Sequence, residues 1–345
     1  MQTQIHGGDI YTNTYRIDFS ANINPLGTPQ AVLDAACAGV LQAPNYPDVQ
    51  CRELKRAIAG KEAVPPEWVI CGNGAAELIF TLAAALHPRK ALLCAPGFAE
   101  YEQALNAAGC SCRFYECKES EQFRLGEDYL DWITEDLDVI FLCNPNNPTG
   151  LLLDPELMKR ILMRCRAKRV RLVLDECFNE LLQNPEAASM IPYLSEFPEL
   201  FILKAFTKLY AMAGLRLGYG LCAEAALLEK MSSVVQPWNV SIPAQMAGTA
   251  ALKEEEYVLR SRAYIGAERQ YLKQGLQKLG LEPLDSQANF IFFQGPEDLY
   301  DRCAQKGILI RDCGNYRGLT RGYYRIAVRT REENEELLSV MRQVL

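Results

Sequence analysis

Short apolar runs recur along this chain, each closed by glycine, proline, asparagine or aspartate, and between them lie longer stretches with apolar positions three and four apart. The runs read as buried strands and the longer stretches as amphipathic helices. A polar start and a loop, RIDFSANINPLG at 16–27, lead to a helix over about 28–40, and APNYPD at 43–48 then breaks the chain with two prolines around Tyr46. From Cys51 the pattern alternates. A helix through Leu54 and Ile58 precedes the strand WVIC at 68–71, a Gly72-Asn73-Gly74 turn and a long apolar helix; ALLCAP at 91–96 precedes another helix. VIFLC at 139–143, RLVLD at 171–175 and LFIL at 200–203 are further strands, near-continuously apolar as strands buried on both faces are. From Ala263 the tail reads as a long helix, a strand pair around ANFIFF at 288–293, a helix, the strand GILIR at 307–311 and a final helix through Leu337 and Val340.

This order predicts an α/β fold: a mostly parallel sheet flanked by helices in a large domain over 43–255, and a smaller α/β domain over 256–345. Residues 1–42 form an N-terminal arm that packs with the smaller domain. With 345 residues and 49% hydrophobic composition the chain can bury a large core, and its net charge of -7 argues against nucleic acid as a partner. No apolar run approaches the ~20 residues of a membrane helix, and MQTQIHGGDI has neither a basic nor an apolar leader segment. A cytoplasmic protein is expected. Thirteen cysteines, with no C-x-x-C pair and only His6 and His87 as histidines, read as reduced thiols, and no metal site is expected.

The candidate chemistry gathers at strand ends. Lys208 follows LFIL and Thr207, and a buried amine there sheds its proton readily and becomes a nucleophile toward an aldehyde cofactor. Arg216, between Gly214 and Gly218, offers a fork for a phosphate, or is an ordinary loop arginine. Gly74 opens a helix after a strand and a glycine turn, which suits an anion, although such turns are also mere punctuation. Phe98, after ALLCAP, can lie flat on a planar ring or be core. Asn147, held by Pro148, has an amide for a phenolic oxygen, and Asp175 is a carboxylate that burial makes costly unless a cation meets it. Asp175 would keep a pyridine nitrogen protonated while Lys208 holds the aldehyde carbon and moves protons. At the start, His6, Gly7, Gly8 and Asn22 are either a flexible arm or donors to an anion.

N-P-x-N-P-T-G at 144–150, D-E at 175–176, T-K at 207–208 and G-L-R-x-G-Y at 214–219 together resemble the fold-type I pyridoxal-phosphate enzymes of the class I and II aminotransferase superfamily, in order and spacing over most of the chain. The resemblance implies pyridoxal 5'-phosphate, with Lys208 as Schiff-base lysine, Asp175 at the ring nitrogen, Asn147 at the ring hydroxyl and Phe98 on the ring face. It also implies Gly74, Ala75, Thr207 and Arg216 at the phosphate, and Tyr46 reaching the neighbouring site of a homodimer.

Within the superfamily, HGGDI, DFSANINPLG, APGFAEY, QPWNVS, ILIRDCGNYRGL and YYRIAVR are similar to the threonine-phosphate decarboxylases, which make aminopropanol phosphate for cobalamin, with the histidinol-phosphate aminotransferases next. By that likeness Arg311 and Arg325 meet the acidic ends of a small phosphorylated amino acid, and His6, Gly8, Asn22 and Asn147 lie around it. Phe178 stands where the aminotransferases usually carry a tyrosine. Two departures stand out: Ala205 lacks a hydroxyl often present at the cofactor phosphate, worth about 1 kcal/mol, and Asp9 puts a negative charge near the expected phosphate pocket. The resemblance leaves a histidinol-phosphate-type aminotransferase, or a non-catalytic cofactor-binding regulator, as alternatives.

Overall fold

The computed structural model describes residues 7–9, 11, 12 and 15–345. After β1 (Ile17–Asp18) come α1 (Gln30–Val40) and α2 (Arg52–Glu62), and then the alternating series β2 (Val69–Gly72), α3 (Gly74–Leu86), β3 (Lys90–Ala95), α4 (Ala99–Ala107) and β4 (Ser111–Glu116). A one-turn α5 (Tyr129–Trp132) leads to β5 (Val139–Cys143), α6 (Pro155–Lys168), β6 (Arg171–Asp175), β7 (Leu200–Ala205), the short α7 (Phe206–Leu209) and β8 (Gly218–Leu221). Helices α8 (Ala225–Val234), α9 (Ile242–Ala251) and the long α10 (Glu255–Lys278) follow. The chain ends with β9 (Glu282–Pro283), β10 (Phe290–Gln294), α11 (Leu299–Gln305), β11 (Ile308–Leu309), β12 (Arg311–Asp312), β13 (Tyr323–Ala327) and α12 (Arg331–Val344).

A seven-stranded sheet in the order β2-β8-β7-β6-β5-β3-β4 forms the centre, parallel throughout except for β8, which runs against β2 and β7. Every residue of β5 and of β7 is buried, which is why these strands read as unbroken apolar runs. The helix ends follow local chemistry. Asp154 caps α6, accepting from Leu157 N at 2.9 Å, with Pro155 in the first turn, and Thr330 and Glu333 form a capping box at α12. Helix α10 begins at Glu255 rather than near 263: exposed Glu255 and Glu256 form its first turn, where carboxylates are favoured. The GILIR run, expected as one strand, is divided between two sheets. Ile308 and Leu309 pair in parallel with β1, and Arg311 and Asp312 join the antiparallel sheet β12-β13-β10-β9. The N-terminal segment is thereby tied to the C-terminal one, with Ala327 N donating to Phe19 O at 2.8 Å.

Topology sets the position of the site. The carboxyl ends of β2, β3, β5, β6 and β7 share one sheet edge, and because β8 is reversed its amino end, just after Arg216, returns to that edge. Behind the edge lies a buried ionic cluster. Lys204 Nζ donates to both oxygens of Glu62 (2.9 and 3.1 Å) and lies 3.5 Å from Glu180, while Tyr219 donates to Glu62 at 2.6 Å. Burial works against the Lys204 charge, but Glu180, Glu62 and Glu176 outweigh it and hold its pKa above the usual lysine range. Glu176 is fully buried, accepting from Ser189 Oγ and Met190 N at 2.8 Å, and burial pushes it up to about 7.

A carboxyl whose folded pKa is raised binds its proton more tightly when folded. Its stabilisation is complete below the unfolded value and is lost as pH rises through about 7. Denaturation midpoints of the wild-type protein should therefore fall between about pH 5 and about pH 8, by at most about 3 kcal/mol from this group. Glu176→Gln should flatten that part of the profile; equal slopes in both proteins would refute the assignment.

Candidate active site

A cavity of about 520 Å³ opens at this sheet edge and is lined by Lys208, Asp175, Asn147, Phe98, Arg311 and Arg325 among others. The described residues hold no group of histidine, cysteine and carboxylate side chains able to bind a metal ion.

One end of the cavity is an anion cup. Helix α3 presents its free N-terminal N–H groups there, with Ala75 and Ala76 on the lining, and Thr207, Lys208 and Arg216 complete the wall. Gly74 has φ +81°, and a Cβ on it would come within 2.4 Å of the Arg216 guanidinium, so only glycine lets the arginine fold over the helix start. Gly218 allows the same close approach from below: its Cβ would lie 2.4 Å from Ala75 N. Arg216 itself has φ +58°, and its Nη1 donates to Ala213 O at 3.2 Å. Ala205 lines the cavity beside Thr207 without contributing a hydroxyl.

Asp175 ends β6, buried, with both oxygens engaged: Cys177 N donates to Oδ1 at 2.9 Å and the Tyr101 hydroxyl to Oδ2 at 2.5 Å. Lys208 lies one helical turn beyond β7, its Nζ 5.5 Å from the centre of the Phe178 ring. Its pKa is pushed down to about 8, first by burial and then by Arg325 and Arg216, with Cys177 and Asp175 working the other way. An anion cup, a buried carboxylate and a poised amine on one wall, with Phe98 lining the same cavity, fit pyridoxal phosphate.

Two arginines face the same space. Arg325 donates through Nη1 to Asn147 Oδ1 and through Nη2 to Ser20 O (2.9 Å), while its Nε has no partner among the described residues. With Oδ1 taken, Asn147 keeps its amide N–H groups for a ligand. Arg311 donates to Asn315 Oδ1 at 2.9 Å and sits over Tyr316. Buried Asn22 also lines the cavity, and its Oδ1 has no partner among the described residues.

The other expected residues are placed unevenly. His6 lies outside the described residues. Gly7, rather than Gly8, lines the cavity, and Gly8 N donates to Ser20 Oγ at 2.7 Å. Exposed Asp9 accepts from Tyr11 N and Thr12 N at 3.2 Å and is not among the lining residues. Tyr46 is 78% exposed and stacks on Trp238, centroids 4.7 Å apart, away from this chain's own cavity. Tyr101 is marked by the sequence only as a second aromatic after ALLCAP, beside Phe98, able to lie on a planar ring or to be core, and nothing there points it to Asp175. Its place three residues after Phe98, on the same side of the first turn of α4, is the signal that marks it.

Comparison with known proteins follows this geometry. The model of aminotransferase class I and II matches residues 15–341. The threonine-phosphate decarboxylase of Salmonella typhimurium is 39% identical over 95% of this chain and 91% of its own length. Histidinol-phosphate aminotransferase 1 of Carboxydothermus hydrogenoformans is 35% identical over 96% and 94%. The crystal structure of the histidinol-phosphate aminotransferase from Clostridium acetobutylicum superposes with a TM-score of 0.90 at 31% identity, over 95% of this chain and 99% of that one.

Capture of an aldehyde by the apoprotein needs the neutral amine of Lys208, about a tenth of the population at pH 7 for a pKa of about 8. The rate, followed by visible absorbance, should rise about tenfold per pH unit and level off near pH 8, and Arg325→Met should move the midpoint upward. A midpoint above about pH 10 would contradict the assigned burial. Gly74→Ala should raise the cofactor Kd about tenfold or more in equilibrium dialysis, by displacing Arg216. An unchanged Kd would remove Arg216 from the cup.

Proposed function

The chain belongs to the class I and II aminotransferase family, and within it we propose that this enzyme decarboxylates L-threonine O-3-phosphate to (R)-1-amino-2-propanol O-2-phosphate. Its cofactor is pyridoxal phosphate, which when bound supplies an electron sink for a bond broken at the substrate Cα. Gly74, Ala75, Thr207 and Arg216 would hold the cofactor phosphate, Asp175 the ring nitrogen, Asn147 the ring hydroxyl and Phe98 the ring face. Lys208 would hold the aldehyde carbon until the substrate amine displaces it, and the freed amine would supply the proton to Cα once carbon dioxide has left.

The observation that carries the proposal is that two buried arginines, Arg311 and Arg325, line the cavity that holds Lys208. A substrate anionic at both ends, with carboxylate and phosphate, suits two guanidinium forks. Their grip would decide the reaction, because the way the arginines hold the two anionic groups would set which bond at Cα is weakened: the bond to the carboxylate, giving decarboxylation, or the bond to hydrogen, giving amino transfer. The likeness to the Salmonella enzyme supports the first outcome. A second reading, amino transfer from histidinol phosphate to 2-oxoglutarate, has its own support in the Clostridium structure and the Carboxydothermus relative.

Exposed Tyr46, stacked on Trp238, reaches the cofactor phosphate of a neighbouring subunit in this reading, which makes the working unit a homodimer. No described helix is long and apolar enough to cross a membrane. The product is a phosphorylated amino alcohol of the kind used in cobalamin synthesis.

Purified, cofactor-loaded protein is to be given L-threonine O-3-phosphate with no keto acid, with carbon dioxide and the amine followed by mass spectrometry. Catalytic release of both is the expected result. Turnover only when histidinol phosphate and 2-oxoglutarate are supplied together would establish the aminotransferase instead.

A further inference from the structure

Tyr101 is the one phenol in contact with Asp175 among the described residues, and nothing in the proposed chemistry uses it. Its hydroxyl donates to Asp175 Oδ2 at 2.5 Å across segments otherwise separate in the chain: α4 carries the tyrosine and β6 the carboxylate. The ring is fixed independently of that bond. It stacks on Phe141 of β5 with centroids 5.1 Å apart and meets Phe98 edge-on at 5.4 Å. Tyr101 is buried, and its neighbours in charge terms are Asp175, Cys143 and Cys177. Burial and the Asp175 charge raise its pKa well above the usual range, so the hydroxyl stays protonated and donates at any working pH.

We propose that Tyr101 is a positioning residue for the cofactor: its hydroxyl, with Cys177 N on the other oxygen, clamps the Asp175 carboxylate in the one orientation that can meet the ring nitrogen. The physical reason is that a carboxylate at a strand end rotates freely about its last bond unless each oxygen is held. A donor on one oxygen only would leave the other to swing. The hydroxyl also withdraws charge from Oδ2, so it moderates how strongly Asp175 holds the pyridine proton. Because Phe98 packs on the Tyr101 edge, the same ring aligns the group expected on the cofactor face with the group expected at its nitrogen. The inference rests on cofactor binding and not on the choice between decarboxylation and amino transfer, so the substrate assay can fail while this holds.

Tyr101→Phe keeps the packed ring and removes only the hydroxyl. The test is a double-mutant cycle on the cofactor Kd, measured by equilibrium dialysis of pyridoxal phosphate with wild-type, Tyr101→Phe, Asp175→Ala and doubly substituted protein. The expected result is a Kd about fivefold to tenfold higher for Tyr101→Phe when Asp175 is present, and no further rise from the same substitution when residue 175 is alanine. An unchanged Kd in the first comparison overturns the proposal. So does an equal rise in both backgrounds, which would mean that the hydroxyl acts through the fold and not through Asp175.

Discussion

A buried carboxylate at the end of one strand and a half-buried amine beyond the end of its neighbour are the constraint on which this molecule turns. Burying either alone is costly, and a sheet closed on both faces offers no solvent to compensate. The chain meets the constraint with fixed partners. Asp175 receives two donors, one from its own backbone and one from α4. Lys208 has no such bond among the described residues, and burial first and then Arg325 push its pKa down to about 8. The wall that holds the carboxylate with two donors thus also makes the amine a better nucleophile.

The surrounding structure serves that wall. The reversed strand β8 returns Arg216 to the edge where α3 begins, and Gly74 and Gly218 remove the side chains that would keep helix and arginine apart. Behind the sheet, Glu62, Lys204, Glu180 and Tyr219 join α2 to β7 and β8 by charge-assisted bonds, fixing the strand that presents Lys208. Arg325 ties the C-terminal sheet to the central one through Asn147, and through Ser20 to the N-terminal segment, so three parts of the cavity wall share one side chain.

Much of this was legible in the residues. VIFLC, RLVLD and LFIL could only be buried strands, and the polar residues closing them, Asn147, Asp175 and Lys208, had to emerge at one edge once the strands were parallel. The glycines at 72, 74 and 218 read only as a turn that suits an anion and as neighbours of Arg216; their close approaches to Leu78, Arg216 and Ala75 came from the fold. The misreadings have plain causes. The sequence places the start of α10 near 263 because Glu255 and Glu256 are exposed, and charge pattern alone does not show that an exposed acidic run is also a helix N-terminus. The division of GILIR between two sheets depends on which strands lie beside Ile308 and Arg311, β1 and β13, and both are remote in sequence.

The amino-acid sequence by itself determined the alternation of strand and helix and the sheet edge on which Lys208, Asp175 and Arg216 gather, because periodicity and turn chemistry are local properties of the chain. Tertiary structure alone decided which groups touch. Tyr101 on Asp175, Arg325 on Asn147 and Lys204 between Glu62 and Glu180 each join residues far apart in sequence. Such bonds form only where packing brings two desolvated groups within reach, and no pattern along the chain encodes that distance.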